Sequence, residues 1–102
     1  MREYEIYVPL LDNEGNVIDP GKLESLKERL RERFGGFTYF PQEGEGQWIT
    51  GGQTFRDRIV ILRVLTPPES DSVQWFRELK AELTREYNQA DFLITSRRVE
   101  LV

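Results

Sequence analysis

A chain of 102 residues is long enough for one hydrophobic core and too short for two ordinary domains, so residues 1–102 are read as a single domain. Hydrophobic residues make up 38% and charged residues 31%, a globular composition that excludes low-hydrophobicity disorder. The 18 acidic residues outweigh the 14 basic ones, and the net charge of −4 argues against nucleic acid as a partner. Cysteine and histidine are both absent. That removes disulfides, thiolate nucleophiles, histidine metal sites and serine–histidine triads, leaving carboxylates, lysine, arginine, tyrosine and hydroxyls as the only chemistry on offer.

The N-terminus enters a strand pattern at once, without an apolar signal core, and Ile59-Val60-Ile61-Leu62 is far too short an apolar run to span a bilayer. The expectation is a cytoplasmic protein with no membrane partner.

In chain order, Tyr4, Ile6, Val8 and Leu10 alternate with Glu3, Glu5, Tyr7 and Pro9, which predicts a strand over residues 3–11. Asp12 to Asn16 is turn-rich. Asp19-Pro20 then opens a helix, with Asp19 as its cap and Ile18 and Leu23 at the spacing of a hydrophobic staple. Leu23, Leu26, Leu30 and Phe34 form its apolar stripe, and Gly35-Gly36 stops it.

Phe37 to Phe40 has strand composition, expected to end at Pro41, and Gln42 to Gln53 reads as a mobile loop or wide hairpin pinned by Trp48. Thr54 to Thr66 is the longest strand expected. It carries Val60, Leu62 and Val64 on one face and Ile59, Ile61, Arg63 and Leu65 on the other, so a central position follows. Asp71 is expected to cap a second helix, with Val73, Phe76, Leu79, Leu83 and Tyr87 as its stripe and Trp75 at the margin. Phe92 to Thr95 and Val99 to Val102 predict a last strand kinked around Ser96-Arg97-Arg98.

This order of elements predicts an α+β, ferredoxin-like β-α-β-β-α-β sandwich, two helices on one face of an antiparallel sheet. The series Phe34-Gly35-Gly36-Phe37-Thr38, Gly46-Gln47-Trp48, Ile59-Val60-Ile61-Leu62 and Tyr87-Asn88-Gln89 resembles a group of small uncharacterised bacterial proteins. The resemblance implies the same ferredoxin-like fold, with no assigned activity and no catalytic residues to carry over.

Each candidate site has a plainer competitor. Asp12, Glu14, Asn16 and Asp19 suggest a calcium loop, but Val17 stands where the sixth-position glycine belongs, so a solvated turn is favoured. The glycines from Gly44 to Gly52 lack the lysine and following helix of a phosphate loop. Glu43, Glu45 and Asp57 do not demonstrate a glycosidase pair. Arg58-Ile59-Val60-Ile61-Leu62 lacks the stacking aromatics of an RNA-recognition strand. Arg63 stands among Ile59, Ile61 and Leu65 and could hold an anionic ligand, although a cross-strand pair with Glu5 or Glu3 is favoured.

With no catalytic residues and no cofactor expected, the leading expectation is a non-enzymatic interaction or assembly module acting through its open sheet face or the Trp48 loop. The alternative is a small-molecule-binding protein or weak enzyme of the dimeric ferredoxin-like barrel type, its pocket lined by Tyr7, Tyr39, Trp48 and Arg63. In either case a homodimer is expected, joined through Ile59, Ile61, Arg63 and Leu65 on the face the helices leave bare.

Overall fold

The computed structural model describes residues 1–50, 53–68 and 71–102, and for 45–50 and 53–57 it describes the backbone alone. Its elements are β1 (Arg2–Pro9), α1 (Pro20–Phe34), β2 (Thr38–Thr50), β3 (Gln53–Thr66), α2 (Ser72–Glu86) and β4 (Ile94–Arg98). The strands form one sheet in the order β2-β3-β1-β4, and every neighbouring pair is antiparallel. This is the expected ferredoxin-like arrangement, with β1 and β3 in the centre.

Helix α1 forms where its signals lie. The Asp19 carboxylate accepts from the Gly21 amide at 2.9 Å, one of the orphan donors that open any helix. Ile18 and Leu23 both pack against the core. Gly35 closes the helix at φ 84°, a left-handed conformation that costs glycine nothing, and its amide donates to Arg31 O at 2.8 Å.

The core lies between the helices and one sheet face. It is built from Tyr4, Ile6 and Val8 of β1, Val60, Leu62 and Val64 of β3, Leu26 and Leu30 of α1, and Phe76, Leu79 and Leu83 of α2. Tyr4 stacks on Phe76 with ring centroids 3.9 Å apart, while its hydroxyl pairs with Ser72 Oγ at 2.9 Å. Thr66 is fully buried yet satisfied, donating to Arg2 O at 3.1 Å. The two helices are also tied by Arg29, which reaches Glu82 at 3.3 Å and Glu86 at 2.7 Å.

Four local expectations are corrected. Strand β2 does not end at Pro41; it runs on to Thr50, so of the two readings of the stretch after Gln42 the hairpin holds and the open loop does not. Proline fits because β2 is an edge strand and its register slips between Phe40 and Gly44, where a ladder donor is not required. The Asp71 side chain makes no cap hydrogen bond and instead pairs with Arg33 at 2.7 Å. Val73 points outward at 40% exposure, while Trp75 packs edge-on against Phe34, 5.0 Å between centroids.

The last strand is not kinked at Ser96-Arg97-Arg98: these residues pair with β1 in regular register, from Arg2↔Arg98 to Ile6↔Ile94. Beyond them, Leu101 and Val102 are exposed and lie outside any strand. Among the described residues, no helix is long and apolar enough to cross a membrane.

Candidate functional site

Directly paired residues of antiparallel strands share a face, so the register identifies what lies on the side opposite the helices. One row there is Thr38, Arg63, Glu5 and Thr95; the next is Phe40, Ile61 and Tyr7. On the other side of the first row come Leu65, Glu3 and Arg97. Tyr7, Phe40, Ile59 and Ile61 are half-buried by their neighbours alone, and Leu65 is 43% exposed. The surface is therefore an apolar band crossed by a line of alternating charge.

Both carboxylates named as partners for Arg63 are found beside it. Its Nη2 donates to Glu5 Oε2 at 3.0 Å, and its Nε lies 3.5 Å from Glu3 Oε1. Glu3 is 7% exposed, and its Oε1 also accepts from Arg97 Nε at 3.0 Å. Arg97 takes the better geometry on Glu3, so among the described residues the buried Arg63 Nε has this ion pair but no hydrogen-bond partner. The Arg63 guanidinium also lies 4.8 Å from the centroid of the Phe40 ring.

Tyr7, Ile59, Ile61, Arg63 and Leu65 thus come together on one surface. Tyr39 does not join them. It pairs with Leu62 on the helix-covered face, and Lys27 Nζ sits 3.9 Å from its ring centroid. Trp48 pairs in register with Phe55, and its side chain lies outside the described residues, as does the pinning role expected for it. Phe40 was not singled out in the sequence because β2 was expected to end beside it; its pairing with Ile61 shows its place.

The acidic turn after β1 is a turn and a cap. The Asp12 carboxylate accepts from the amides of Glu14 and Asn16, both at 2.9 Å. These donors, the Asn16 amide foremost, hold its pKa below the ordinary 3.8. A carboxylate with a depressed folded pKa contributes its stabilisation fully above the unfolded value and loses it as pH falls through the folded one. Carbon-detected NMR should therefore show Asp12 titrating below pH 3.8, with the Asn16 amide shift following the same midpoint. A midpoint at or above the ordinary value would contradict these bonds.

No family model matches the chain, and no curated protein matches it in sequence. Solved structures do match in fold. A phage SAM lyase in complex with S-methyl-5′-thioadenosine superposes with a TM-score of 0.66 at 16% identity, over 94% of this chain and 79% of that one. A divalent cation tolerance protein from Thermus thermophilus gives 0.64 at 16% identity, over 100% of this chain and 87% of that one. The chain is thus a small α+β protein of ferredoxin-like fold, and the narrower resemblance to one bacterial group gains no support from a sequence match.

The leading expectation of a non-enzymatic assembly module is corrected by the same finding. Two of the structures that share the fold are a lyase holding a small molecule and a protein of divalent cation tolerance.

Proposed function

We propose that the protein binds a small organic molecule on its open sheet face, as a homodimer whose two faces turn toward each other around the ligand. The observation that carries this is Arg63, a half-buried guanidinium on the open face, held by Glu5 and Glu3 and lying against the ring of Phe40. A guanidinium carries five N–H donors, and those its carboxylates leave unused are ready contacts for an oxygen or nitrogen of a ligand. Phe40 and Tyr7, one row away, offer flat surfaces for a ring. A second copy would cover Ile59, Ile61 and Leu65, an apolar set that water otherwise meets.

A ring bearing hydrogen-bond acceptors fits this combination, and S-methyl-5′-thioadenosine, the molecule held by the phage lyase, is a probe of that kind. A divalent cation is the weaker choice, since among the described residues no three carboxylates gather in a way that could hold one. The reading takes Trp48 as a neighbour on the same hairpin, omits Tyr39, and places the protein in the cytoplasm.

Calorimetric titration with S-methyl-5′-thioadenosine tests it. Wild type should bind saturably, and Arg63→Gln should weaken binding by about tenfold or more, the worth of one hydrogen bond to a charged group. Glu5→Gln, which loosens Arg63 without removing it, should bind at least as well as wild type. Absence of binding by the wild type, or equal affinity in Arg63→Gln, would refute the proposal.

A further inference from the structure

Alternation along β1 puts Arg2 on the side of Tyr4 and Ile6, and it stands in register with both Thr66 and Arg98. Val99 N donates to Met1 O at 3.0 Å, so that pair carries the ladder hydrogen bonds and the next one along, Arg2↔Arg98, does not. Side chains come closest in such non-bonded pairs, and like charges placed there repel. Two arginines are therefore held side by side at the end of the helix-covered face.

The acidic residues around them are engaged elsewhere. Glu3 and Glu5 belong to the other face, where they hold Arg63 and Arg97. Asp71, before α2, is taken by Arg33. Among the described residues, Arg2 donates only to the neutral Ser96 Oγ, at 3.3 Å, and the exposed Arg98 has no side-chain partner. Both arginines line an open cleft of about 610 Å³, with Pro68, Val73 and Val99 as apolar wall. Glu100 lines it too, and among the described residues it pairs with neither arginine. Ser72 also reaches the cleft, but its hydroxyl is occupied by Tyr4 at 2.9 Å and Thr66 at 3.3 Å, so recognition rests with the arginines.

The protein carries −4 overall, so its general field repels anions and the attraction here is local to the pair. Two adjacent guanidinium groups offer two charges and two planar donor forks, a match for a doubly charged oxyanion. A phosphate monoester is such an ion above its second pKa of about 6.

We propose that this cleft binds a phosphate monoester, its phosphate between Arg2 and Arg98 and its uncharged part on Pro68, Val73 and Val99. Phenyl phosphate is the probe, and phenyl sulfate, of the same shape with one charge fewer, is its control. Titrated at low salt and about pH 8 into ¹⁵N-labelled protein, phenyl phosphate should shift the amides of Arg2, Val73 and Arg98 saturably. Phenyl sulfate and inorganic phosphate should both bind more weakly. Arg98→Gln should weaken phenyl phosphate about tenfold, the worth of one hydrogen bond between charged groups. Glu100→Gln, which removes the opposing charge, should bind more tightly than wild type. Arg31→Gln makes the same change in net charge on α1, where Arg31 pairs with Glu28, and should bind as wild type does. No saturable shift at these amides, an equal loss in Arg98→Gln and Arg31→Gln, or phenyl sulfate bound as tightly as phenyl phosphate overturns the proposal. Equal affinity for inorganic phosphate also overturns it, by assigning the cleft to a bare ion. These results are separate from those at Arg63, which lies on the opposite face and whose probe, S-methyl-5′-thioadenosine, carries no phosphate.

Discussion

Leu26→Ala should destabilise the fold by about 2–5 kcal/mol, several times the effect of Asp19→Ala at about 1 kcal/mol. Leu26 is fully buried in the middle of the α1 stripe, packed in a core that includes Leu30, Leu62 and Leu83. Truncation removes the transfer energy of the missing carbons and leaves a void that a rigid sheet cannot close. Asp19 loses only one acceptor at an exposed helix end, where water can take over the Gly21 amide. Urea melts of the two variants measure this directly. Equal losses would mean that α1 does not dock through the Leu26 face.

Ile61→Asp should convert a dimer into a monomer without unfolding it. Ile61 is half-buried on the sheet face away from the helices, between Tyr7 and Phe40, so a carboxylate there has access to water in one copy. Across a two-fold interface the same carboxylate would be buried against apolar neighbours and its own symmetry mate, a cost of several kcal/mol per pair. Light scattering at micromolar concentration should give twice 12.1 kDa for the wild type and 12.1 kDa for the variant, with unchanged circular dichroism. A wild-type mass of 12.1 kDa would refute the dimer.

How far the sequence reveals the fold depends on whether a signal is local. Helix α1 is fully legible, because Asp19, the staple of Ile18 and Leu23, and Gly35 all act within a turn of the helix ends. Strand β3 is legible as central because both its faces are apolar, and it does lie between β2 and β1. The course of β2 is hidden: whether Pro41 ends a strand depends on whether a neighbour needs its missing donor, and that is settled by sheet order. Asp71 looks like a cap locally and is drawn off by Arg33, 38 residues away.

The site divides the same way. Arg63 is conspicuous in sequence, and its partners Glu5 and Glu3 follow from strand pairing. Tyr39 cannot be assigned a face without the register of β2, which slips only after Phe40. Tyr87 reads as the last residue of an apolar stripe, and so it is. That its buried hydroxyl finds no hydrogen-bond partner among the described residues is a property of the assembled core that no pattern along the chain encodes.

Amide chemical-shift mapping with S-methyl-5′-thioadenosine tests the account most directly, since it reports binding and place together. Saturable shifts should centre on Glu5, Tyr7, Ile61 and Arg63, with little change at Leu26 and Leu83 beneath the sheet. Shifts that instead centre on the Lys27 side of the sheet around Tyr39, or no saturable shift at all, would contradict a ligand site on the open face.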